Sequence, residues 1–153
     1  MVLEVGTIAP DFTLSDQNGE ELTLSELVTE SPVALVFFPL AFSGICTGEL
    51  CELRDNIAIF QDAKVRVLGV SVDSVYTLKA WADQEGYNFS VLSDFWPHGA
   101  VSQDYGVFID EAGIATRATF LIGEDRKILA SFATEPGQAR DFAAYRDAVA
   151  KLS

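Results

Sequence analysis

Two uninterrupted apolar runs constrain this chain more than any other feature. Val33-Ala34-Leu35-Val36-Phe37-Phe38 and residues 65–72 are each of strand length, and neither alternates apolar with polar side chains. A strand with one wet face alternates, whereas a strand without alternation is covered on both faces, as in a sheet held between two layers of helices. Between the runs, Leu50, Leu53, Ile57 and Phe60 recur at spacings of three, four and three, which predicts one helix of about four turns. After the second run, Val75, Leu78, Trp81 and Ala82 mark another helix that ends before Gly86. Residues 90–93 read as a short strand and 99–105 as a short helix. Residues 10–14 and 21–24 alternate around Asn18-Gly19, which predicts a hairpin whose tight turn takes its positive φ angles from that pair. A second hairpin is expected over residues 119–122 and 128–132, and Phe142, Tyr145, Val149 and Leu152 mark a C-terminal helix. This order predicts an α/β protein, a three-layer α/β/α sandwich about a central mixed sheet.

The 153 residues fit a single domain spanning 1–153. A chain of this length buries roughly 70% of its unfolded surface, so no disulfide or metal is needed to staple it. Lys and Arg number 10 against 23 Asp and Glu, a formal charge of −13. Such a body repels phosphate backbones and anionic lipid heads, which sets nucleic-acid and membrane-surface functions aside. Small neutral substrates meet no such barrier. The amino terminus has no basic segment followed by a long apolar stretch, and so does not read as a secretory signal. The longest run free of charged or strongly polar residues, 32–42, falls short of the roughly 20 that a bilayer demands. Two cysteines in a chain read this way point to a reducing, cytoplasmic setting.

The densest chemistry lies in Phe37-Phe38-Pro39-Leu40-Ala41-Phe42-Ser43-Gly44-Ile45-Cys46-Thr47-Gly48-Glu49-Leu50-Cys51. A buried strand ends at Pro39 and a helix begins near Ser43 or Gly44, which puts Cys46 in the first helical turn beyond a strand's C-terminal end. Open α/β sheets place ligands there. Unpaired N–H groups and the helix dipole favour an anion at such a turn, and the thiolate is the reactive form of cysteine. Ser43 is placed either to cap the helix or to hydrogen-bond the sulfur and its reaction partner. Position alone leaves two readings of Cys46, a nucleophile or a small buried hydrophobe. On a helical wheel Cys46 projects within about 10° of the apolar stripe, while Cys51 projects about 135° away, beside Arg54 and Asp55. Their Cα atoms are expected roughly 8–9 Å apart, beyond the ~7 Å reach of a disulfide. A bond between them requires local unwinding; otherwise Cys51 is an idle surface thiol.

Zinc is disfavoured, because two cysteines five apart and a single histidine do not supply a ligand set. No Gly-x-Gly-x-x-Gly, phosphate loop or Gly-x-Ser-x-Gly elbow is present, so no cofactor is implied. His98 reads as a hydrogen-bonding residue near the Trp96-Pro97 turn. Arg117 stands out because it opens an apolar strand, where its rigid fork of donors can serve an anion; the other reading is an exposed arginine before an edge strand.

Pro39-Leu40-Ala41-Phe42-Ser43-Gly44-Ile45-Cys46 resembles the Pro-x-x-x-Thr/Ser-x-x-Cys signature of peroxiredoxins, with Ala9-Pro10-Asp11-Phe12 and Arg117 falling at matching places. Phe37 to Cys46, together with Ser93-Asp94-Phe95-Trp96-Pro97-His98-Gly99-Ala100-Val101-Ser102, is similar to the actinobacterial alkyl hydroperoxide reductase E group. The Cys46-x4-Cys51 pair departs from that group and resembles the Q-type peroxiredoxins, or bacterioferritin comigratory proteins. The resemblance implies a thioredoxin-like fold with an added N-terminal hairpin. It implies a thiol peroxidase acting on hydrogen peroxide or organic hydroperoxides, with Cys46 peroxidatic and oxidised to a sulfenic acid. Ser43 would hydrogen-bond the peroxide, Pro39 would shield the sulfenate, Arg117 would support the thiolate, and Glu49 matches an acidic residue one turn on. Cys51 would resolve the sulfenate as a disulfide, which a thioredoxin- or mycoredoxin-type reductant would reduce. Without that step a low-molecular-weight thiol or partner protein would attack Cys46 directly, and a homodimer is the expected assembly. A dithiol oxidoreductase would instead want Cys-x-x-Cys and a proline before the late strand, and a binding or holdase module would use the same scaffold with inert thiols.

Overall fold

The computed structural model describes residues 2–152. In chain order its elements are β1 (Thr13–Ser15), β2 (Glu21–Thr23), α1 (Leu24–Leu27), β3 (Val33–Phe37), α2 (Gly44–Asp55), α3 (Ile57–Asp62), β4 (Arg66–Ser71) and α4 (Val75–Glu85). They continue with β5 (Ser90–Ser93), α5 (Ala100–Asp104), β6 (Phe108–Ile109), β7 (Ile114–Ala115), β8 (Arg117–Ile122), β9 (Ile128–Thr134) and α6 (Phe142–Ala150). Seven strands form one mixed sheet in the order β2-β1-β5-β4-β3-β8-β9. The two continuous apolar runs are its centre: β3 pairs parallel to β4, and β4 parallel to β5.

Successive residues of β3 serve opposite faces. Val33, Leu35 and Phe37 pack with Leu24 and Leu27 of α1, Val101 of α5 and Tyr105 just after it. Ala34, Val36 and Phe38 pack with α2, α3, α4 and α6 through Leu50, Phe60, Trp81 and Tyr145. Burial on both faces is what the lack of alternation demanded, and the result is a three-layer, thioredoxin-like architecture with a hairpin added at the front.

Three local expectations are corrected. The first hairpin pairs Thr13 with Thr23 and Ser15 with Glu21, so its connection is longer than a two-residue turn. Only Gly19 of the Asn18-Gly19 pair has positive φ. The buried Asp16 carboxylate organises the loop by accepting from the N–H groups of Asn18 and Glu20. The helix of about four turns is broken at Asn56, whose own N–H and side-chain Nδ2 both donate to Glu52 O. That competition ends α2 while α3 keeps the apolar stripe going, with Leu53 and Phe60 buried on either side of the break. The short α1 and the β6–β7 hairpin had no periodic signal to announce them.

The stretch from Ser93 to Ser102 proves to be a folding device. Asp94, nearly buried, accepts from Val101 N, Ser102 N and Ser102 Oγ at 3.1, 2.9 and 2.9 Å, capping α5 from outside it. Gly99 opens that helix at φ 70°, and a Cβ there would fall 2.3 Å from the Phe108 ring. His98 Nε2 lies 2.7 Å from Gly113 O and edges onto Phe108, so its partner is the loop before β7.

Topology then fixes where chemistry can occur. The parallel registers end together, Phe37 beside Val70 and Ser71 beside Ser93. Strand β8 runs antiparallel to β3, with Ala118 opposite Phe37, so its first residue, Arg117, lies at the same edge.

Candidate active site

Pro39, buried, closes β3, and the chain then crosses the sheet edge to α2. Asp73 pins this crossing: its Oδ2 accepts from Ala41 N at 2.7 Å and from Ser71 Oγ at 2.6 Å. Phe42 sits at φ 69°, a left-handed conformation that costs a bulky residue about 1–3 kcal/mol. Its ring lies 6.2 Å from Trp81, contact that helps hold the turn. Ser43 does not cap α2; its Oγ donates to Leu40 O at 3.0 Å, which tightens the loop instead.

Cys46 is fully buried in the first turn of α2, and β8 delivers Arg117 to it. Arg117 Nη1 donates to Cys46 Sγ at 3.1 Å and to Glu49 Oε1 at 2.7 Å, while its Nε donates to Pro136 O at 2.8 Å. Sequence spacing could not join these residues; the antiparallel pairing of β8 with β3 does. A second arginine, Arg140, completes the site. Its Nε and Nη2 donate to the two oxygens of Glu49 at 3.1 and 2.9 Å, and its backbone N–H to Oε2 at 2.6 Å. Its Nη1 bolts the site to the sheet through Phe37 O at 2.9 Å and Thr119 Oγ1 at 3.1 Å.

Glu49 therefore receives four hydrogen bonds from two guanidinium-bearing residues. Burial pushes its carboxyl up, but the hydrogen bonds and charge of Arg140, helped by Arg117, outweigh that and hold it below the usual carboxylate range. Two guanidiniums against one carboxylate leave one positive charge in a nearly dry site, since Arg117, Arg140 and Glu49 are 2%, 1% and 6% exposed. An anionic sulfur, or negative charge developing beside it, balances that excess. Arg140 was missed in the sequence because Gln138-Ala139-Arg140-Asp141 carries no pattern of its own. The one available clue was that a carboxylate drawn inward one turn after Cys46 needs more than one cation.

Cys51 corrects a second expectation, for it does not face open solvent. It is half-buried against α4, its Sγ donating to Glu85 Oε1 at 3.4 Å and lying 3.7 Å from the Tyr87 hydroxyl. Spacing along α2 fixes the direction of Cys51 relative to the apolar stripe but not which element lies beside it. Burial pushes the Cys51 thiol up; the Tyr87 hydroxyl and Arg54 pull the other way, and Glu85 adds to the rise. Both cysteines are unpaired. Among the described residues no helix is long and apolar enough to cross a membrane, and no cluster of His, Cys, Asp and Glu could hold a metal ion.

Comparison with known proteins places this geometry in a family. The AhpC/TSA family pattern matches residues 5–131. Alkyl hydroperoxide reductase E of Mycobacterium tuberculosis is 51% identical over 154 aligned positions, covering 99% of each chain. Peroxiredoxin Bcp of Escherichia coli is 36% identical, covering 82% of this chain and 83% of its own. The crystal structure of peroxidoxin BcpB from Mycobacterium tuberculosis superposes with a TM-score of 0.87 at 32% identity, covering 98% of this chain and 96% of that one. The chain therefore belongs to the AhpC/TSA family and is a peroxiredoxin, a thiol peroxidase.

Proposed function

We propose that the chain, working as one domain over residues 1–153, reduces hydrogen peroxide and organic hydroperoxides through Cys46. The sulfur attacks one peroxide oxygen, the O–O bond breaks, and the departing oxygen takes a proton to leave as water or an alcohol. Cys46 is left as a sulfenic acid. Arg117 supports the thiolate and the charge developing on the leaving oxygen; Glu49 and Arg140 hold Arg117 in place. Ser43 takes part in binding the peroxide, and Pro39 keeps water from the sulfenate. The observation that carries this reading is the Arg117 guanidinium at 3.1 Å from a fully buried sulfur.

Cys51 then condenses with the sulfenic acid, giving a disulfide and water, and a thioredoxin- or mycoredoxin-type partner reduces the disulfide. Gly44 and Gly48 make the first turns of α2 easy to unwind, each weakening a helix by about 1 kcal/mol against alanine. The mass of the protein after one equivalent of hydrogen peroxide tests this. Loss of two hydrogens is expected; gain of one oxygen with both cysteines unlinked would assign the work to a low-molecular-weight thiol or partner protein attacking Cys46 directly.

The unpaired thiols fit a reducing, cytoplasmic setting. A homodimer is supported by the apolar side chains exposed at the sheet edge that carries the site: Leu40, Phe42 and Ile45 on the Cys46 loop, Tyr76 at the start of α4, and Phe95 and Trp96 after β5. Light scattering should give twice the 16.6 kDa chain mass, and a monomer at working concentration would remove the dimer from this reading.

A further inference from the structure

The surroundings of Cys51 contain more chemistry than a resting thiol needs. Glu85 receives the Cys51 S–H, and it is itself fixed, with Arg54 Nη1 donating to its backbone carbonyl and Gln84 Nε2 to its other carboxylate oxygen. The Tyr87 hydroxyl, 3.7 Å from Cys51 Sγ, also donates to Thr47 O at 3.5 Å, one residue beyond Cys46. Leu50 and Leu53, on either side of Cys51, are fully buried anchors, whereas Gly44, Ile45 and Gly48 are exposed. The Cys51 half of α2 is thus the more firmly packed half, while the Cys46 half is held by two ties, Arg117 Nη1 to Cys46 Sγ and Trp81 Nε1 to Thr47 Oγ1, that must release for it to leave.

We propose that Glu85 and Tyr87 are a proton-handling pair that makes Cys51 nucleophilic only after α2 has unwound. This rests on the reading of Cys51 as the resolving cysteine. As residues 44–48 unwind, Thr47 O leaves Tyr87, and the freed hydroxyl turns to the Cys51 sulfur. Glu85 takes the thiol proton, which also neutralises the carboxylate that opposed a thiolate beside it. The Cys51 sulfur attacks the Cys46 sulfenic sulfur, the S–O bond breaks, and the hydroxide leaves as water with the proton that Glu85 held. The sulfenic acid comes from the peroxidase step, so no further oxidant is required. The charged and titratable groups facing Cys51 are Arg54 from its own helix and Glu85 and Tyr87 from the end of α4 and the loop after it.

The test is a single turnover of wild type, Glu85→Gln and Tyr87→Phe with one equivalent of hydrogen peroxide. Peroxide consumption reports the first phase, and timed dimedone quenching with mass analysis reports loss of sulfenic acid in the second. Glu85→Gln is expected to slow the second phase by about 100-fold, and Tyr87→Phe by about tenfold. In Glu85→Gln the second phase should also climb with pH as solvent takes over deprotonation, a change that a merely structural role would not produce. Second phases at the wild-type rate in both variants, still ending in disulfide, would overturn the pair and leave Cys51 as the resolving residue. A wild type that forms no disulfide would remove the resolving role and this inference with it.

Discussion

Cys46 and Cys51 are five residues apart on one helix, yet they occupy opposite chemical settings. Cys46 meets Arg117 from the sheet edge, in a nearly dry site with an excess of positive charge. Cys51 meets a carboxylate from the end of α4 and a phenol from the loop after it, and its thiol is pushed up by burial. Their helix gives both the same backbone. What differs is which neighbouring elements reach them: β8 and the loop before α6 for one, the C-terminal end of α4 for the other. The surroundings of each thiol are therefore set by tertiary neighbours, with helix position supplying only a preference.

The contrast can be attacked first at Glu49, which gathers both guanidiniums. Glu49→Gln strands two buried positive charges, and urea denaturation should show a loss of about 3–5 kcal/mol. A loss below about 1 kcal/mol would mean that the ion cluster does not organise the site. Next is Arg117→Ala, expected to slow Cys46 oxidation by about 10²–10³ in stopped-flow assays. Arg117→Lys should recover only part, since an ammonium lacks the fork that spans sulfur, carboxylate and Pro136 O. Equal rates for all three proteins would make the arginine structural.

Acid should erase part of the contrast. Because the folded-state carboxyl of Glu49 is held below its unfolded value, its stabilising contribution is complete above about pH 5 and is lost as pH falls through the folded-state value. The stability gap between wild type and Glu49→Gln should accordingly narrow below that range; a gap that widens in acid would reverse the assigned sign. The smallest effect concerns the turns between the cysteines. Gly48→Ala meets nothing within 4 Å and stiffens α2 by about 1 kcal/mol, so disulfide formation after oxidation should slow about fivefold. Unchanged kinetics would show that unwinding does not limit the step.

Much of this was legible in the residues, for physical reasons. Continuous apolar runs cannot be satisfied by a one-sided sheet, so β3 and β4 announced a covered sheet, and short periodic stripes announced α4 and α6. Cys46 and Arg117 could be marked as candidates by type and local setting, each with a bland reading beside it, and the site role of Pro39 came only with the resemblance to peroxiredoxins. The meeting of Arg117 with Cys46 could not, because it depends on the pairing of β3 with β8 across 71 residues. Arg140 was invisible for a similar reason: its charge is absorbed by Glu49, 91 residues earlier in the chain. The neighbours of Cys51 come from the end of α4 and the loop after it, elements that the spacing within α2 does not encode. Local chemistry was readable, whereas partners supplied by topology were not.

The measurement that bears most directly on the difference between the two thiols is sulfenic acid trapping in the single-cysteine variants. Cys51→Ser and Cys46→Ser are each mixed with one equivalent of hydrogen peroxide in the presence of dimedone, and the adducts are mapped by peptide mass. The adduct is predicted on Cys46 in the first variant, formed at the wild-type rate of peroxide consumption, with no comparable adduct on Cys51 in the second. Equal trapping on the two cysteines, or preferential trapping on Cys51, would contradict the assignment of the reacting thiol to the arginine-lined site.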